Sequence, residues 1–411
     1  MIVTLKPTIV VIETLDHLRP TSVRVARALA HPQSANVLLC HWHRLGFTRQ
    51  SLALQGPVHQ VKSGGKIEGR TITAALPVHA LFFYGPYSGE LTIRDATALD
   101  RLAAAGIDVG GVPIYKVIDR MMLEASRRGL ATNALGSSLT WGPKHHQELK
   151  LRRFECAKGQ VIVRPKTYIA RPHEVRTVLA IFARRGETCL VKPAIGEGGR
   201  GFHIVRPGES FPQSDSTVVV QRLIPDPLLV EGHKADIRFY LLINVSDERA
   251  SGRLSPVFLR RAAAPYIAQS RPAEITNTAY RLRHGLPPDM RPLDLTPGIS
   301  QNLHSQIISQ LDSLARALVN AYFWNAAHEP VGGGRGSVPN RAILFGVDVL
   351  VASPTNNPRL YFLELNPFPA LFRGLPDCDE AVDQMLSREF LPVLMKSGRP
   401  LGDFLPIQTR H

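Results

Sequence analysis

One stretch of the sequence alternates charged and apolar residues with the period of a β-strand. Residues 233–243 read HKADIRFYLLI, so Lys234, Asp236 and Arg238 share one face of the strand with Tyr240, and the other face is apolar. Burying three unpaired charges beside apolar residues costs free energy. The pattern therefore predicts that these charges line a wet cleft, and a solvated face of a sheet is the alternative.

Two acidic residues interrupt a pair of apolar strands in the last quarter of the sequence. Residues 343–352 (ILFGVDVLVA) and 359–366 (RLYFLELN) are separated by SPTNNP, which is typical of a turn. Asp348 lies in the first strand, and Glu364 and Asn366 share one face of the second. Two carboxylates and an amide oxygen suit Mg²⁺, a hard cation that prefers oxygen ligands. Pairing of the acids with arginine from neighbouring strands is the alternative.

A glycine-rich loop joins two short strands at residues 188–205 (TCLVKPAIGEGGRGFHIV). Lys192 ends the first strand, and the loop contains Gly196, Gly198, Gly199 and Gly201. A hairpin of this kind can fold over a triphosphate, with backbone N–H groups and the lysine charge as its contacts. It lacks the GK[ST] of a Walker A loop, and a plain hairpin is the alternative.

The next strand, residues 218–224 (VVVQRLI), ends in a polar step followed by apolar residues. The end of such a strand offers backbone donors and acceptors beside an apolar slot, which is what an adenine ring needs. An ordinary core strand is the alternative, and the strand alone does not decide between the two.

The first third of the chain alternates apolar runs with helical patterns. We expect strands over residues 8–14, 36–42 and 78–86, and helices over 21–30, 95–105 and 116–128. This alternation predicts a small parallel α/β sheet that is covered on both faces. Composition changes near residue 140, which predicts an N-terminal domain of residues 1–139 and a second domain of residues 140–411, with a flexible glycine-rich loop at 331–340.

The net positive charge of the chain favours partners that carry negative charge. The chain has 49 Lys and Arg against 34 Asp and Glu, a net charge of +15. This favours nucleic acid, an anionic membrane, an acidic protein tail or a phosphorylated ligand, and a well-solvated surface is the alternative. Residues 150–176, here called the basic stretch, contain eight basic and two acidic residues. The basic stretch is therefore a candidate dock for an acidic acceptor.

The cysteines and the first residues indicate a cytoplasmic protein. Four cysteines lie far apart in the sequence, without the spacing of a zinc site, which favours reduced thiols. The first residues lack the pattern of a secretory signal, and no apolar run reaches the ~18 residues of a membrane span.

The order of the motifs from residue 188 to residue 366 resembles the ATP-grasp superfamily. Within it, residues 218–243 (VVVQRLIPDPLLVEGHKADIRFYLLI) and the later FGVDVLVA and LYFLELNPFPAL are similar to the tubulin–tyrosine ligase-like family. PKTYI at residues 165–169 fits the entry to the family's ATP-grasp domain, and the resemblance covers about residues 140–372. It implies an α/β (α+β) ATP-grasp fold, preceded by a small parallel α/β domain of pre-ATP-grasp type.

The resemblance implies roles for individual residues. The residues implied to contact ATP lie in the first lysine position of the family pattern, the glycine loop and its lysine, the adenine hinge, the charged strand and the asparagine of EITN. They are Lys144, Lys192, Gly196, Gly198, Gly199, Gly201, Gln221, Arg222, Leu223, Ile224, Lys234, Asp236 and Asn277. Lys234, Arg238 and Arg260 are implied to engage the transferred phosphate and the acyl phosphate, with Arg261 as a register-shifted alternative to Arg260. The implied Mg²⁺ ligands are Asp348, Glu364 and Asn366.

The chain departs from the family pattern at three positions. Arg222 and Leu223 replace the usual Lys-Tyr of the hinge, and Ala235 replaces the Phe of KFD. ATP binding tolerates these changes, because the hinge uses backbone atoms. Specificity for the amino acid and the acceptor stays open, because the family's activities range over tyrosine, glutamate and glycine ligation.

The implied function is an ATP-dependent carboxylate–amine ligase with ATP and Mg²⁺ as cofactors. Its partners would be an amino acid and an acidic peptide or protein acceptor, with no membrane and no nucleic acid. A small-molecule ATP-grasp peptide ligase is the main alternative. A basic nucleic-acid-binding protein would explain the charge but not the acids of the second hairpin, and the complete metal set argues against a nucleotide-binding pseudoenzyme.

Overall fold

The structure is a computed structural model of the 411-residue chain. It describes residues 8–13, 20–30, 35–41, 45–47, 52–62, 65–83, 131–133, 141–195, 201–212, 214–245, 250–266, 271–328, 341–352, 357–367, 369, 371, 374–394 and 407–408. The helices expected over 95–105 and 116–128 and the glycine-rich loop at 331–340 lie outside the described residues.

The described residues of the N-terminal part include a sheet on which helix α1 (Pro20–Ala30) packs. Its strands are β1 (Thr8–Glu13), β2 (Asn36–His41), β3 (Leu45–Phe47), β4 (Leu52–Val61), β5 (Ile67–Pro77), β6 (Ala80–Phe83) and β7 (Ala131–Asn133). β1 lies between β2 and β6 and is parallel to both, as predicted. The run Ile9–Ile12 is wholly buried, which is typical of a central parallel strand.

Beyond β2 the parallel strands are extended by antiparallel strands that the sequence analysis did not predict. β4 pairs with β2, β3 and β5, antiparallel in each case. The β4–β5 hairpin turns through Gly65, whose φ is +77°, with the Lys62 N–H donating to the Lys66 carbonyl at 2.8 Å. Gly56 and Pro57 interrupt the apolar pattern of β4 near a register shift. Because of this interruption, the sequence pattern did not predict the strand.

A four-stranded antiparallel sheet, here called the central sheet, follows helix α2 (Lys144–Lys158). Its strands are β8 (Thr167–Ala170), β9 (Cys189–Pro193), β10 (His203–Val205) and β11 (Val218–Arg222), in the order β10-β9-β11-β8. Helix α3 (Val175–Ala183) buries Val178 and Phe182 against Val191 and Val220 of this sheet. The predicted strand–loop–strand at 188–205 is confirmed as the pair β9 and β10.

The C-terminal part is built around a long central strand. Its strands are β12 (Leu229–Val230), β13 (His233–Val245), β14 (Ala250–Arg261), β15 (Met290–Pro292), β16 (Arg341–Ala352), β17 (Arg359–Asn366) and β18 (Ile407–Gln408). Its helices begin with α4 (Arg271–Glu274), α5 (Thr278–Arg283) and α6 (Gln301–His328). β13 lies between β14 and β16, and its apolar face, including Ile237 and Phe239, packs with Leu318 and Tyr322 of α6 in one core.

The N-terminal and C-terminal strands form one sheet, because β16 pairs in parallel with β7. Helix α7 (Pro376–Met385), a π-helical turn (Leu386–Phe390) and α8 (Leu391–Leu394) share a core with α1 on the other face of this sheet. Arg24 of α1 donates to Asp379 of α7 at 2.7 Å. The division at residue 140 stays a prediction.

All four cysteines carry free thiols, and only Cys156 is exposed. Within the described ranges, no helix is both long enough and apolar enough to cross a membrane.

Candidate functional site

The charged face of β13 meets oppositely charged residues on both neighbouring strands. Arg260 of β14 donates two hydrogen bonds to Asp236, at 2.8 and 2.6 Å. Arg238 donates two to Asp348 of β16, one of them at 2.7 Å. Arg260 also lies 2.9 Å from Asp348, so the four side chains form one continuous chain, here called the ionic chain.

The register of the sheet produces the ionic chain. Asp236 lies directly opposite Arg260 in the antiparallel pair β13–β14, and Arg238 lies directly opposite Asp348 in the pair β13–β16. Side chains directly opposite each other on one face of a sheet are nearest neighbours. The spacing D-x-R on β13 therefore matches one charged residue on each adjacent strand.

The prediction of a wet cleft along this face is corrected by burial. Asp236, Arg238, Arg260 and Asp348 are each at most 5% exposed. Burial alone would raise the pKa of Asp348, but the charges of Arg238 and Arg260 outweigh that effect and hold the pKa well below its ordinary value. Asp348 stays ionised because it is paired with arginine, which is the alternative that the sequence analysis weighed for this residue.

The segment between α4 and α5 supplies two further contacts to the same face. Lys234 forms an ion pair with Glu274, and both side chains are almost fully buried. The Thr276 hydroxyl donates to Asp236 at 2.6 Å. Sequence analysis placed Asn277 here but gave no role to Glu274 or Thr276. Their spacing of two, which matches the spacing of Lys234 and Asp236, is the signal that could have found them.

Arg260 and Arg261 point to different surroundings. Arg260 is 3% exposed and belongs to the ionic chain. Arg261 forms ion pairs with Glu231 and, at 2.8 Å, with Asp289. Of the two arginines that the sequence analysis left open, the geometry therefore brings Arg260, and not Arg261, to the other candidate site residues.

Gly346 has no side chain, and the Arg238 guanidinium group occupies the space that a side chain there would fill. A Cβ atom on Gly346 would lie 2.7 Å from Nη1 of Arg238 and 2.6 Å from Cβ of Pro369. Distances this short do not occur for real Cβ atoms, so any larger residue would move the guanidinium group. Sequence analysis did not single out Gly346, although it lies two residues before Asp348 and so shares its face of the strand.

The predicted metal ligands lie together on β16 and β17. Glu364 is directly opposite Asp348 in the strand register, so the two side chains are neighbours on one face of the sheet. The Asn366 amide donates to Glu364 at 3.2 Å, and Nζ of Lys144 lies 4.0 Å from the same carboxylate. Two adjacent carboxylates repel each other unless a cation or a proton is shared between them.

These residues fit Mg²⁺, which is bound in nucleotide sites by one or two carboxylates together with water and phosphate oxygens. In the part of the chain that the structure describes, no three His, Cys, Asp or Glu residues cluster as a metal site. Two carboxylates and one amide would leave the remaining coordination positions of Mg²⁺ to water and phosphate oxygens.

Lys192 lies at the end of β9 and faces the C-terminal sheet. It donates to the Gln221 side chain at 2.8 Å, and Gln221 donates to the Thr167 hydroxyl at 3.1 Å. Burial lowers the pKa of Lys192 to about 8, against the opposing effect of Glu364. Gln221, which was predicted at the adenine hinge, directs its side chain to Lys192, the residue predicted to bind phosphate.

The remaining hinge and loop residues are only partly described. The N–H groups of Arg222 and Leu223 donate to the carbonyls of Lys166 and Thr188, at 2.8 and 2.9 Å, and Ile224 is buried. Gly201 has φ +65°, and a Cβ there would lie 2.6 Å from Pro193, so glycine is required where the loop returns to β10. The other three predicted loop glycines, Gly196, Gly198 and Gly199, lie outside the described residues.

The basic stretch is less exposed than its composition suggests. Lys150 is 4% exposed and lies over the Trp141 ring, 5.6 Å from its centroid. Arg152 donates to Glu148 at 2.6 Å, and Arg164 contacts both Glu148 and Glu155. Part of the positive charge of the basic stretch is therefore used inside the protein. The exposed cations of the stretch are Arg152, Arg153, Lys158, Arg171 and Arg176.

Comparison with known proteins agrees with the predicted resemblance. A family model described as the tubulin-tyrosine ligase family matches residues 133–249. Human tubulin polyglutamylase TTLL7 is 41% identical over 64 residues, which are 16% of this chain and 7% of that protein. Human tubulin polyglutamylase TTLL13 is 35% identical over 88 residues, 21% of this chain and 11% of that protein. The matched segments thus span only a small part of these relatives.

A solved structure shares the fold over almost the whole chain. It is the C-terminal domain from K. lactis Pby1, described as an ATP-grasp enzyme interacting with the mRNA decapping enzyme Dcp2. The two structures superpose with a TM-score of 0.55 at 14% identity, covering 98% of this chain and 100% of that one. At this identity the likeness concerns the fold alone, and it confirms the predicted ATP-grasp fold class.

Proposed function

We propose, from the premise that this chain carries a tubulin–tyrosine ligase-like region within an ATP-grasp fold, that it is an ATP-dependent carboxylate–amine ligase acting on a peptide or protein. One observation carries the proposal. Lys192, at the root of the glycine loop of the central sheet, lines one cavity together with Lys144, and Nζ of Lys144 lies 4.0 Å from the Glu364 carboxylate of β17. A lysine of the central sheet thus faces charged groups of the C-terminal sheet. A triphosphate bound between the two sheets would have cations on both sides.

The proposed reaction has two steps. A carboxylate oxygen of one substrate attacks the γ-phosphorus of ATP, the bond to the β-phosphate oxygen breaks, and an acyl phosphate and ADP form. The amine of the second substrate then attacks the acyl carbon, the carbon–oxygen bond to phosphate breaks, and the amine loses a proton. The products are an amide, ADP and phosphate.

The cationic side chains stabilise the charge that develops on the transferred phosphoryl group. Lys192 and Lys144 would approach it from the side of the glycine loop. Arg238 and Arg260 of the ionic chain, with Lys234 on the same face of β13, would approach it from the other side. Asp348, Glu364 and Asn366 would hold Mg²⁺, which supplies Lewis-acid stabilisation of the phosphate oxygens when bound. Asp236 keeps Arg260 oriented, because its carboxylate accepts hydrogen bonds from the Arg260 guanidinium group and from the Thr276 hydroxyl.

The test of this function is ADP release with defined substrates. The similar segments of the relatives belong to tubulin polyglutamylases, so glutamate is the first amino acid to assay, with tubulin and an acidic peptide as acceptors. We expect ADP release to require both substrates. We also expect the acceptor to gain the mass of one glutamate residue, which is glutamate less one water. ADP release that never depends on any acceptor or amino acid would contradict the proposal.

Replacing Lys192 by methionine should weaken ATP binding about 10- to 100-fold, because a hydrogen bond to a charged partner contributes ~1.5–3 kcal/mol. Since the pKa of Lys192 is about 8, the affinity of the wild-type protein should fall as pH rises through that value. The variant Lys192→Arg keeps its charge and should show no such fall. Titration calorimetry with ATP from pH 6.5 to about 9.5 measures both effects.

The stability of the Lys192→Met variant is the control. The pKa of Lys192 in the folded protein lies below its ordinary 10.5, so the unfolded chain holds more protons between these values and removal of the lysine does not destabilise the fold. A sharp loss of thermal stability with unchanged ATP affinity would make Lys192 a structural residue instead.

Acceptor docking on the basic stretch is tested by charge reversal. Arg152 is held by Glu148, so the variants should be Arg153→Glu, Lys158→Glu and Arg176→Glu, at exposed positions. If the acceptor is an acidic polypeptide, the apparent KM for it should rise about 10-fold and depend on salt, while the KM for ATP stays unchanged.

The matched control is reversal of Arg184 and Arg185, two exposed cations outside the basic stretch. Equal effects of the two sets would indicate net charge rather than docking. A KM independent of salt in all variants would favour a small-molecule ATP-grasp peptide ligase. Because Lys150 is buried and Arg164 is paired, the basic stretch offers an acidic acceptor fewer free charges than its composition suggests.

A further inference from the structure

Among the described residues, side chains and a linker, and not a strand, contact the outer edge of β17. β17 pairs with β16 along one edge. On its other edge, two glutamine side chains, Gln147 of α2 and Gln310 of α6, bond to its backbone, and the Phe362 N–H donates to the Val163 carbonyl at 2.9 Å. The two glutamines act at opposite ends of the strand.

Gln147 makes both hydrogen bonds that a neighbouring strand would make with Leu365. Its amide nitrogen donates to the Leu365 carbonyl at 2.8 Å, and its amide oxygen accepts from the Leu365 N–H at 3.0 Å. Gln147 is 5% exposed, so neither bond is shared with bulk solvent. Leu365 itself points into the apolar core and is 1% exposed.

The contact with Leu365 lies beside two of the predicted metal ligands. Leu365 lies between Glu364 and Asn366, whose side chains point to the opposite face of the strand. Fixing both backbone groups of Leu365 fixes the two peptide units that carry these neighbours. A rotation of either peptide unit would move one of the two predicted metal-ligating side chains.

We propose that Gln147 is the positioning residue of the metal site, acting through the backbone of Leu365 on Glu364 and Asn366. The inference rests on the proposed function, because it takes these side chains as Mg²⁺ ligands. Residues that orient metal ligands contribute about 10- to 100-fold to metal affinity in other proteins. Gln147 performs that task without contacting a ligand side chain.

Helix α2 extends the effect to the central sheet. The backbone N–H of Lys144, one turn before Gln147, donates to the Ala194 carbonyl at the root of the glycine loop, at 3.0 Å. One turn of α2 therefore contacts both sheets, with Lys144 on the side of the nucleotide loop and Gln147 on the side of the metal ligands. The helix sets the distance between the two halves of the site.

Gln310 offers a matched control within the same strand. Its amide nitrogen donates to the Pro358 carbonyl at 2.6 Å, and its oxygen accepts from the Leu360 N–H at 3.2 Å. It makes the same kind of contact, but at the end of β17 remote from Glu364. Removing it costs two hydrogen bonds to the backbone at β17, as removing Gln147 does, without touching the peptide units of the predicted ligands. Gln147 makes one further hydrogen bond, a donation to the Gly142 carbonyl at 3.4 Å.

The experiment compares Gln147→Met with Gln310→Met, since methionine keeps the length of the side chain and removes both hydrogen bonds. Binding of Mn²⁺, as a paramagnetic substitute for Mg²⁺, is titrated in the presence of a non-hydrolysable ATP analogue. We expect Gln147→Met to weaken Mn²⁺ binding about 10-fold or more and Gln310→Met to leave it unchanged, with similar melting temperatures for the two variants.

Gln147→Asn serves if the methionine variant does not fold, because a shorter amide keeps the polarity but cannot reach both groups of Leu365. It should also weaken Mn²⁺ binding. Equal Mn²⁺ affinity in the wild type, the Gln147 variants and Gln310→Met overturns the inference alone. A wild-type protein that binds the analogue without any Mn²⁺ effect overturns the metal site of the proposed function, and the inference with it.

Discussion

Replacing Asp348 by alanine is expected to lower the free energy of unfolding by about 3–5 kcal/mol, the usual cost of removing one partner of a buried ion pair. Asp348 is 3% exposed and receives both hydrogen bonds of the Arg238 guanidinium group. Without it, Arg238 keeps its charge in a buried position, while Arg260 retains Asp236. Urea unfolding of the two proteins measures the difference.

A double variant separates lost charge pairing from lost packing. Asp348→Leu combined with Arg238→Leu removes the whole pair, and such replacements are often neutral or stabilising. The double variant should therefore be more stable than Asp348→Ala. A single variant within ~0.5 kcal/mol of the wild type would show that the Arg238 charge finds another partner.

The same pair sets the expected dependence on pH. Because the pKa of Asp348 in the folded protein is lowered, its contribution is complete above the carboxyl pKa of the unfolded chain. It decreases as pH falls below that value toward the lowered pKa. The difference in stability between the wild type and Asp348→Ala should therefore become smaller on acidification.

The sequence was sufficient to predict the face on which the charges of β13 lie. Lys234, Asp236 and Arg238 do share one face, because the period of two follows from the geometry of any strand. It was not sufficient to predict their burial, because their partners are distant in sequence: Asp348 follows Arg238 by 110 residues. A local pattern states which side chains share a face, and the sheet register decides what they contact.

For Asp348 the two alternatives weighed from the sequence are compatible with each other. The carboxyl group is paired with two arginines, and Asp348 also lies directly opposite Glu364 in the strand register. An arginine pair holds the carboxylate ionised and oriented, which is also the state that a metal ligand needs. Oδ1 receives two of the arginine contacts and Oδ2 receives one, so a bound Mg²⁺ would use the remaining lone pair of Oδ2.

Pattern analysis failed where a contact depends on a backbone edge. Nothing in the spacing of Gln147 marks it as a partner of Leu365, which lies 218 residues later. Helix α2 has no clear apolar face that would fix its orientation, since it buries Gln147, Glu148 and Lys150 as well as Leu151 and Phe154. Its orientation follows from polar contacts to two sheets, which only the assembled fold provides.

The two predicted carboxylate ligands should differ sharply when each is replaced. Glu364 has a side chain that is 25% exposed and lies 4.0 Å from Nζ of Lys144, whereas Asp348 is part of the buried ionic chain. Loss of the charge of Glu364 leaves no buried guanidinium without a partner. Replacing Glu364 is therefore expected to lower activity without changing stability, whereas replacing Asp348 is expected to lower both.

Glu364→Gln should slow Mg²⁺-dependent ADP release about 100-fold or more at limiting Mg²⁺, because it removes one of two anionic ligands from a metal that supplies several kcal/mol of charge stabilisation. The near-isosteric amide should leave the free energy of unfolding within ~0.5 kcal/mol of the wild type. Glu380→Gln, at an exposed position of α7, is the matched control and should change neither quantity. ADP release at the wild-type rate in Glu364→Gln, measured at limiting Mg²⁺, would remove Glu364 from the metal site, and a large loss of stability would assign it to the fold.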